Sequence, residues 1–182
     1  MSQITTPYEG GAASWREDGP IPAPLRLYEV TVGPEWVDYN DHMSESVYLL
    51  VFGDSSDAFF RYFGVAEDYR ASGLSLFTVE THLRNLREVK LGERLSLTLT
   101  VLGVDAKRLH VVHEMFNASG DLVATAEQML LHTDTRIGRT APFPPEIAGR
   151  LERIRAAHSV LPVPGYAGRG IATPGKPRTG ER

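Results

Sequence analysis

Four polar side chains crowd into five consecutive positions in the first third of this chain. Asp38, Asn40, Asp41 and His42 bring together two carboxylates, an amide and an imidazole, just after the large aromatic Trp36. A carboxylate or an imidazole can take a proton from water, and a carboxylate can also attack an electrophilic carbon directly. This segment is therefore the best candidate in the sequence for acid–base or nucleophilic chemistry.

A long apolar helix is predicted immediately after the polar segment. Ser44 is a residue type that favours the N-cap position, and Val47, Leu50 and Val51 follow it at helical spacing. The pattern continues to Gly64, a residue type that often ends helices. Because aromatic residues also occupy the other sides, we expect this helix to be central and wrapped by other elements.

Strands are predicted on both sides of that helix. Residues 25–33 give a strand with Leu25, Leu27 and Glu29 on one face, and four longer strands are predicted at 74–86, 93–103, 107–118 and 121–134. The clearest is the third of these five, where Leu95 to Val101 alternate with Ser and Thr. The connections are short, which favours an antiparallel meander.

The predicted fold class is α+β, with one antiparallel sheet wrapped around a long central helix. A short amphipathic helix at 146–158 completes the domain, which we place at 25–160. Residues 1–24 are interpreted as an N-terminal arm and 161–182 as a disordered tail, because both are poor in apolar periodicity. A sheet of this kind keeps open edge strands, so pairing with a second copy is expected, as a homodimer or homotetramer.

The composition argues against several classes of protein. The chain has 182 residues, 42% of them hydrophobic, with a net charge of −4 and no cysteine. A dedicated nucleic-acid binder would carry a concentrated basic face, and thiolate chemistry needs cysteine. There is no apolar run of the roughly 20 residues that a membrane span needs and no signal peptide, so a cytoplasmic protein is predicted.

The polar segment and its surroundings resemble a known family. The stretch PEWVDYN at 34–40, followed by His42-Met43 and the apolar helix, resembles hot-dog-fold acyl-CoA thioesterases of the 4-hydroxybenzoyl-CoA thioesterase type. The likeness is greater to betainyl-CoA thioesterases and to the thioesterase-like domain fused to some carnitine dehydrogenases. These also share the character of VETHL at 79–83 and KRLH at 107–110. Two positions depart from the family pattern, since Asp41 replaces a usual Gly and Ser44 a usual Asn.

The resemblance implies hydrolysis of a short polar or cationic acyl-CoA, without a metal or other cofactor. The free N–H groups of the helix N-terminus polarise the thioester carbonyl, and Asp38 acts as base or nucleophile. His42 is the second candidate catalytic residue. The acyl group is expected to contact Trp36, Tyr39, Asn40, Asp41 and Ser44, with the two aromatic residues offering cation–π contacts. Coenzyme A is expected to contact Arg87, Lys90 and Arg108.

Plain structural roles compete with several of these assignments. Asp38 and His42 can also fix a loop by hydrogen bonding. For Asp54 and Asp57 on the helix, a solvated or capping role is the favoured interpretation, although some hot-dog thioesterases use a helix carboxylate. Glu80 and His82 share a strand face and can either approach the acyl group or pack on the sheet. His110 and His113 do not predict a metal site, because positions i and i+3 of a strand face opposite sides.

Two other functions fit the same fold. A hydratase would also pair an Asp with a His, but in a longer loop that contains Pro. A non-catalytic acyl-CoA-binding protein would keep the pocket without the reaction, and the extra carboxylate of Asp41 is compatible with it.

Overall fold

The computed structural model describes residues 13–171, and within that range one sheet lies against one long helix. The bounds of the elements agree with the predicted strands to within two residues. The strands are β1 Leu25–Thr31, β2 Leu74–Asn85, β3 Arg94–Val104, β4 Arg108–Phe116, β5 Leu122–Asp134 and β6 Arg139–Thr140; the helices are α1 Glu45–Phe63, α2 Glu67–Ala71 and α3 Pro145–His158.

The sheet is antiparallel throughout, in the order β1-β3-β4-β5-β2, with the short β6 paired to β5. The alternation predicted for β3 is confirmed, because Leu95, Leu97, Leu99 and Val101 are all at most 3% exposed. These side chains belong to the core between the sheet and α1. Strand β2 lies at one edge of the sheet.

Helix α1 is central, as predicted. Phe52, Phe59 and Phe63 on it are at most 1% exposed, and its apolar residues belong to both core clusters of the domain. Its predicted C-terminal stop is also confirmed, because Gly64 follows in the left-handed conformation with φ 106°. A residue without a Cβ adopts that conformation without steric cost.

The side chains of β1 that face the core differ from those predicted. The pairing of β1 with β3 shifts register between Leu25 and Tyr28, which is the signature of a β-bulge. One extra residue changes the face of everything after it, so Tyr28 rather than Leu27 or Glu29 joins Leu25 on the buried side. This change places a phenol hydroxyl against α1.

Both flanking segments contact the domain where the structure describes them. In the N-terminal part, Trp15 meets the ring of Tyr62 edge-on at 5.8 Å. In the C-terminal part, the Tyr166 hydroxyl donates to Glu114 at 3.1 Å. The rest of the predicted arm and tail, residues 1–12 and 172–182, lies outside the described residues. From residue 13 to residue 171 no helix is both long and apolar enough to cross a membrane.

Candidate active site

The polar segment folds into a tight turn between β1 and α1. The N–H of Asp38 donates to the carbonyl of His42 at 2.9 Å, and the N–H of Asp41 donates to the carbonyl of Asp38 at 3.1 Å. Just outside the turn, Val37 and Met43 form an isolated antiparallel bridge. The backbone therefore fixes the four polar residues of the segment relative to one another and to the start of α1.

Asp38 is anchored within this turn. Its Oδ1 accepts a hydrogen bond from the N–H of Asn40 at 2.8 Å, an Asx-type contact that favours turns. The side chain is half-buried. Asp38 thus does fix the loop by hydrogen bonding, which was one of the two roles considered from the sequence. The carboxylate keeps further lone pairs for other partners.

Asp41 occupies a left-handed backbone position. Its φ is 60°, and no other non-glycine residue between 13 and 171 has a positive φ. Asp and Asn tolerate this conformation better than most residues, because a short polar side chain can bond locally. The conformation gives a physical reason for the Gly that the resembling enzymes usually carry at this position.

Ser44 is the N-cap residue of α1, as predicted, but its hydroxyl makes no capping hydrogen bond. Its backbone N–H donates to the carbonyl of Trp36 at 2.9 Å, which ties the helix start to the end of the preceding 3₁₀ turn, Pro34–Trp36. The Ser44 side chain therefore caps none of the first-turn N–H groups of α1, although the N–H of Val47 donates to the Ser44 carbonyl at 2.9 Å. Such groups carry the positive end of the helix dipole and bind an oxyanion well.

His42 lies beside a second segment, residues 87–90. It pairs with Lys90 in an antiparallel bridge, and the N–H of Met43 donates to the carbonyl of Val89 at 2.7 Å. The ring Nε2 of His42 is 3.1 Å from Glu88 Oε2. Of the three cations assigned to coenzyme A, the backbone of this segment brings Lys90 and Arg87 next to the turn.

One assigned residue, Arg108, lies apart from this cluster, and one that belongs to the turn, Tyr39, has an exposed side chain. Arg108 begins β4 at the other end of the sheet, about 30 Å away for a strand of this length, and binds Asp105 at 2.6 Å. Tyr39 is 94% exposed, whereas Trp36 is half-buried against the core. The two aromatic residues assigned to the acyl group therefore differ in exposure, and only Trp36 packs against the core.

Asp54 is buried, which contradicts the solvated role favoured from the sequence. It is 2% exposed, and its Oδ2 accepts a hydrogen bond from the Tyr28 hydroxyl at 3.1 Å. Its Oδ1 has no hydrogen-bond partner. Burial raises the pKa of this carboxyl, against the lowering effect of the Tyr28 bond. No pattern in the sequence predicts the bulge in β1 that brings Tyr28 to Asp54.

Asp57 and the two strand histidines have structural partners. Asp57 accepts from Arg61 at 2.9 Å and lies 3.5 Å from Arg70. His113 is fully buried between two serines of α1, while His110 binds Glu127 at 2.8 Å. The two histidines therefore lie on opposite faces of β4, as predicted.

Two surface grooves lie away from the turn. One of about 500 Å³ is lined by residues of β1 and β3 and by the β4–β5 connection, and one of about 490 Å³ lies under the N-terminal segment. Neither is lined by a residue between Asp38 and Ser44.

Comparison with known proteins identifies relatives of similar sequence. The chain is 47% identical over 152 residues to betainyl-CoA thioesterase of Pseudomonas aeruginosa, covering 82% of this chain and 96% of that one. It is 49% identical over 148 residues to the L-carnitine dehydrogenase/betainyl-CoA thioesterase of Agrobacterium fabrum, covering 81% of this chain. The match spans only 30% of the length of that relative.

The fold is the hot-dog fold expected from the resemblance. A Staphylococcus aureus protein solved in complex with CoA superposes with a TM-score of 0.78 at 26% identity, covering 86% of this chain and 100% of that one. The family model described as thioesterase-like superfamily matches residues 32–151, which include the turn and α1. The chain therefore belongs to the thioesterase-like superfamily.

Proposed function

We propose that this protein hydrolyses the CoA thioester of a short polar or cationic acyl group, with betainyl-CoA as the leading candidate. The observation that carries the proposal is the position of Asp38 in the turn that leads into the N-terminus of α1, where the Ser44 side chain makes no capping hydrogen bond. The names of the relatives, which include a betainyl-CoA thioesterase, support the choice of substrate.

In the proposed reaction, the first-turn N–H groups of α1 bind the thioester carbonyl oxygen and stabilise the negative charge that develops there. Asp38 takes a proton from water, and the hydroxide attacks the carbonyl carbon. The C–S bond then breaks, the leaving sulfur takes the proton from Asp38, and CoA departs as the thiol. In the alternative route, Asp38 attacks the carbonyl carbon, the C–S bond breaks and the CoA thiolate leaves, and water then cleaves the resulting anhydride to the free acid and Asp38.

A cationic acyl group suits the charges around the turn. The carboxylates of Asp41, Glu45 and Glu88 are exposed near the helix start. In betainyl-CoA a single methylene separates the quaternary ammonium from the carbonyl, so the cation has to lie near that carbonyl. Asp54 lies nine residues further along α1, about 14 Å away, and is out of reach of such a short group.

We also infer that a second copy of the chain completes the site. Strand β2 is an edge of the sheet, and Phe77 and Val79 on it are 50% and 54% exposed. An exposed apolar edge pairs readily with an identical strand about a two-fold axis. We propose that the partner surface reaches the turn and the exposed ring of Tyr39.

A free-thiol assay with a panel of CoA esters tests the function. Betainyl-CoA should release CoA faster than acetyl-CoA or a longer uncharged acyl-CoA. Hydration of an enoyl-CoA without thiol release would instead identify a hydratase, and saturable binding without turnover would identify an acyl-CoA-binding protein. Single-turnover hydrolysis in ¹⁸O-water distinguishes the two routes, because only the anhydride route transfers label into Asp38.

A further inference from the structure

The outer face of the sheet, which is turned away from α1, is buried at its centre. Thr98, Val112 and Thr125 point to this face, because their neighbours along β3, β4 and β5 point to the core. They are only 3%, 2% and 1% exposed, whereas a sheet with water on one side leaves such positions open. The chain covers them with its C-terminal residues 162–171, which we call the strap.

The strap is fixed to the outer face at two points. The Tyr166 hydroxyl donates to Glu114 at 3.1 Å, and the guanidinium carbon of Arg84 lies 5.5 Å from the centre of the Tyr166 ring. The N–H of Gly168 donates to both carboxylate oxygens of Glu127, each at 2.9 Å. These contacts join the strap to three strands, β2, β4 and β5.

The first of these points is one row of residues across the sheet. Glu114 of β4 pairs with Thr125 of β5, which pairs with Arg84 of β2. A carboxylate and a guanidinium therefore flank Thr125 at equal distances of one strand spacing, about 4.8 Å. The Tyr166 side chain contacts both flanking groups, one with its hydroxyl and the other with its ring.

This row is complementary to itself. If a second copy stacked on the outer face about a two-fold axis along β5, Glu114 of each copy would lie opposite Arg84 of the other. Two stacked sheets lie about 10 Å apart and fill the space between them with side chains. The strap occupies that space and already holds both charged groups of the row, so a second copy cannot enter it.

We propose that the strap restricts assembly, because it closes the outer face to a second copy and leaves the edge strand β2 as the surface at which copies pair. The expected assembly is a homodimer, and not a tetramer built from stacked sheets. This inference goes beyond the proposed function, since it concerns subunit contacts and holds whether or not the protein hydrolyses CoA esters.

Loosening the strap in the full chain tests the proposal. Tyr166→Ala removes both contacts with the row, and Gly168→Pro removes the N–H that Glu127 accepts and cannot adopt the φ of 82° or less that glycine turns favour, here 72°. In sedimentation velocity the double variant should form a species of twice the wild-type mass, while the wild type stays a dimer. Ile171→Ala changes a 92% exposed residue of the same segment, so it is the matched control and should also stay a dimer.

Two further variants identify the surface that forms the larger species. Thr125→Lys, added to the double variant, places two lysines face to face at the two-fold axis and should restore the dimer. Tyr166→Phe alone keeps the ring on Arg84 but loses the bond to Glu114, so it should form a smaller fraction of the larger species. Urea denaturation checks that each variant is folded.

Three results would overturn the proposal. They are a wild type larger than a dimer, a folded double variant with the wild-type mass, and a larger species that persists after Thr125→Lys. If the double variant does not fold, the mass of Tyr166→Phe decides in the same way. A thiol assay on the same proteins reports on the proposed function separately, because a wild type that releases no CoA leaves these masses unchanged.

Discussion

The backbone N–H of Asn40 donates a hydrogen bond to Asp38 Oδ1 at 2.8 Å. An asparagine at position 38 could accept the same bond through its amide oxygen, so the turn would survive the loss of the charge. Asp38→Asn should therefore keep the wild-type unfolding curve and lose CoA release by at least about a hundredfold, because a neutral amide is neither base nor nucleophile. A thiol assay beside urea denaturation checks both expectations. Wild-type turnover by Asp38→Asn would show that Asp38 stands outside the chemistry.

Asp41 gives a prediction about stability, because its φ of 60° penalises most side chains. Asp41→Ala should lower the free energy of unfolding by about 1 kcal/mol, since alanine lacks the local polar contacts that ease this conformation. Asp41→Gly should equal or slightly exceed the wild type. Urea denaturation of the three proteins gives the order, and an alanine variant as stable as the glycine variant would contradict it.

Much of the fold and part of the site follow from sequence patterns that act locally. The β3 alternation, the Gly64 stop and the Ser44 N-cap position each depend on neighbouring residues, and all three are confirmed. The bulge in β1 could not be predicted in this way, because one extra residue reverses which side chains face the core without changing the composition of the strand. The contact of His42 with Glu88 joins residues 46 positions apart and depends on how residues 87–90 pair with the turn.

Tyr28 and Asp54 should be energetically coupled. Tyr28→Phe removes the hydroxyl that donates to the buried Asp54 carboxyl, which we expect to cost about 1–3 kcal/mol of unfolding free energy. Burial already raises the pKa of Asp54, so this group stabilises the fold below its unfolded pKa and loses that contribution as pH rises through the folded pKa. The cost of Tyr28→Phe should accordingly be larger at pH 8 than at pH 5.

A double-mutant cycle with Asp54→Asn measures that coupling. In the Asp54→Asn background the carboxylate charge is absent, so Tyr28→Phe should cost less and its pH dependence should disappear. Equal costs in the two backgrounds would mean that the hydroxyl acts through other neighbours.

The exposed edge of β2 predicts the assembly state. Val79→Lys places a charge where two copies of the strand would pair, so it should shift a dimer towards monomer and lower thiol release with it. Ile137→Lys is a matched control, because Ile137 is 66% exposed but lies in the β5–β6 connection. Sedimentation velocity of the wild type and both variants reports the result. An unaffected dimer in Val79→Lys would place the interface elsewhere.

His113 predicts how stability depends on pH. The ring is fully buried, with Nδ1 3.3 Å from the Ser55 hydroxyl and Nε2 3.3 Å from the Ser56 hydroxyl, and burial lowers its pKa from 6.5 to about 4. Between those values the unfolded chain binds a proton that the folded chain does not, so stability falls as pH drops through 6.5 towards 4. From pH 7.5 to pH 5 this group should remove about 2 kcal/mol of unfolding free energy.

Comparison with His113→Gln isolates this contribution. The variant should be less stable at pH 7.5, because it disturbs the bonds to the two serines, but it cannot titrate. Its loss of unfolding free energy between pH 7.5 and pH 5 should therefore be smaller than that of the wild type by about 2 kcal/mol. The buried His158, whose pKa is also lowered by burial, is present in both proteins and cancels in the comparison. Parallel pH profiles for the two proteins in urea denaturation would show that His113 is not the group that limits stability in acid.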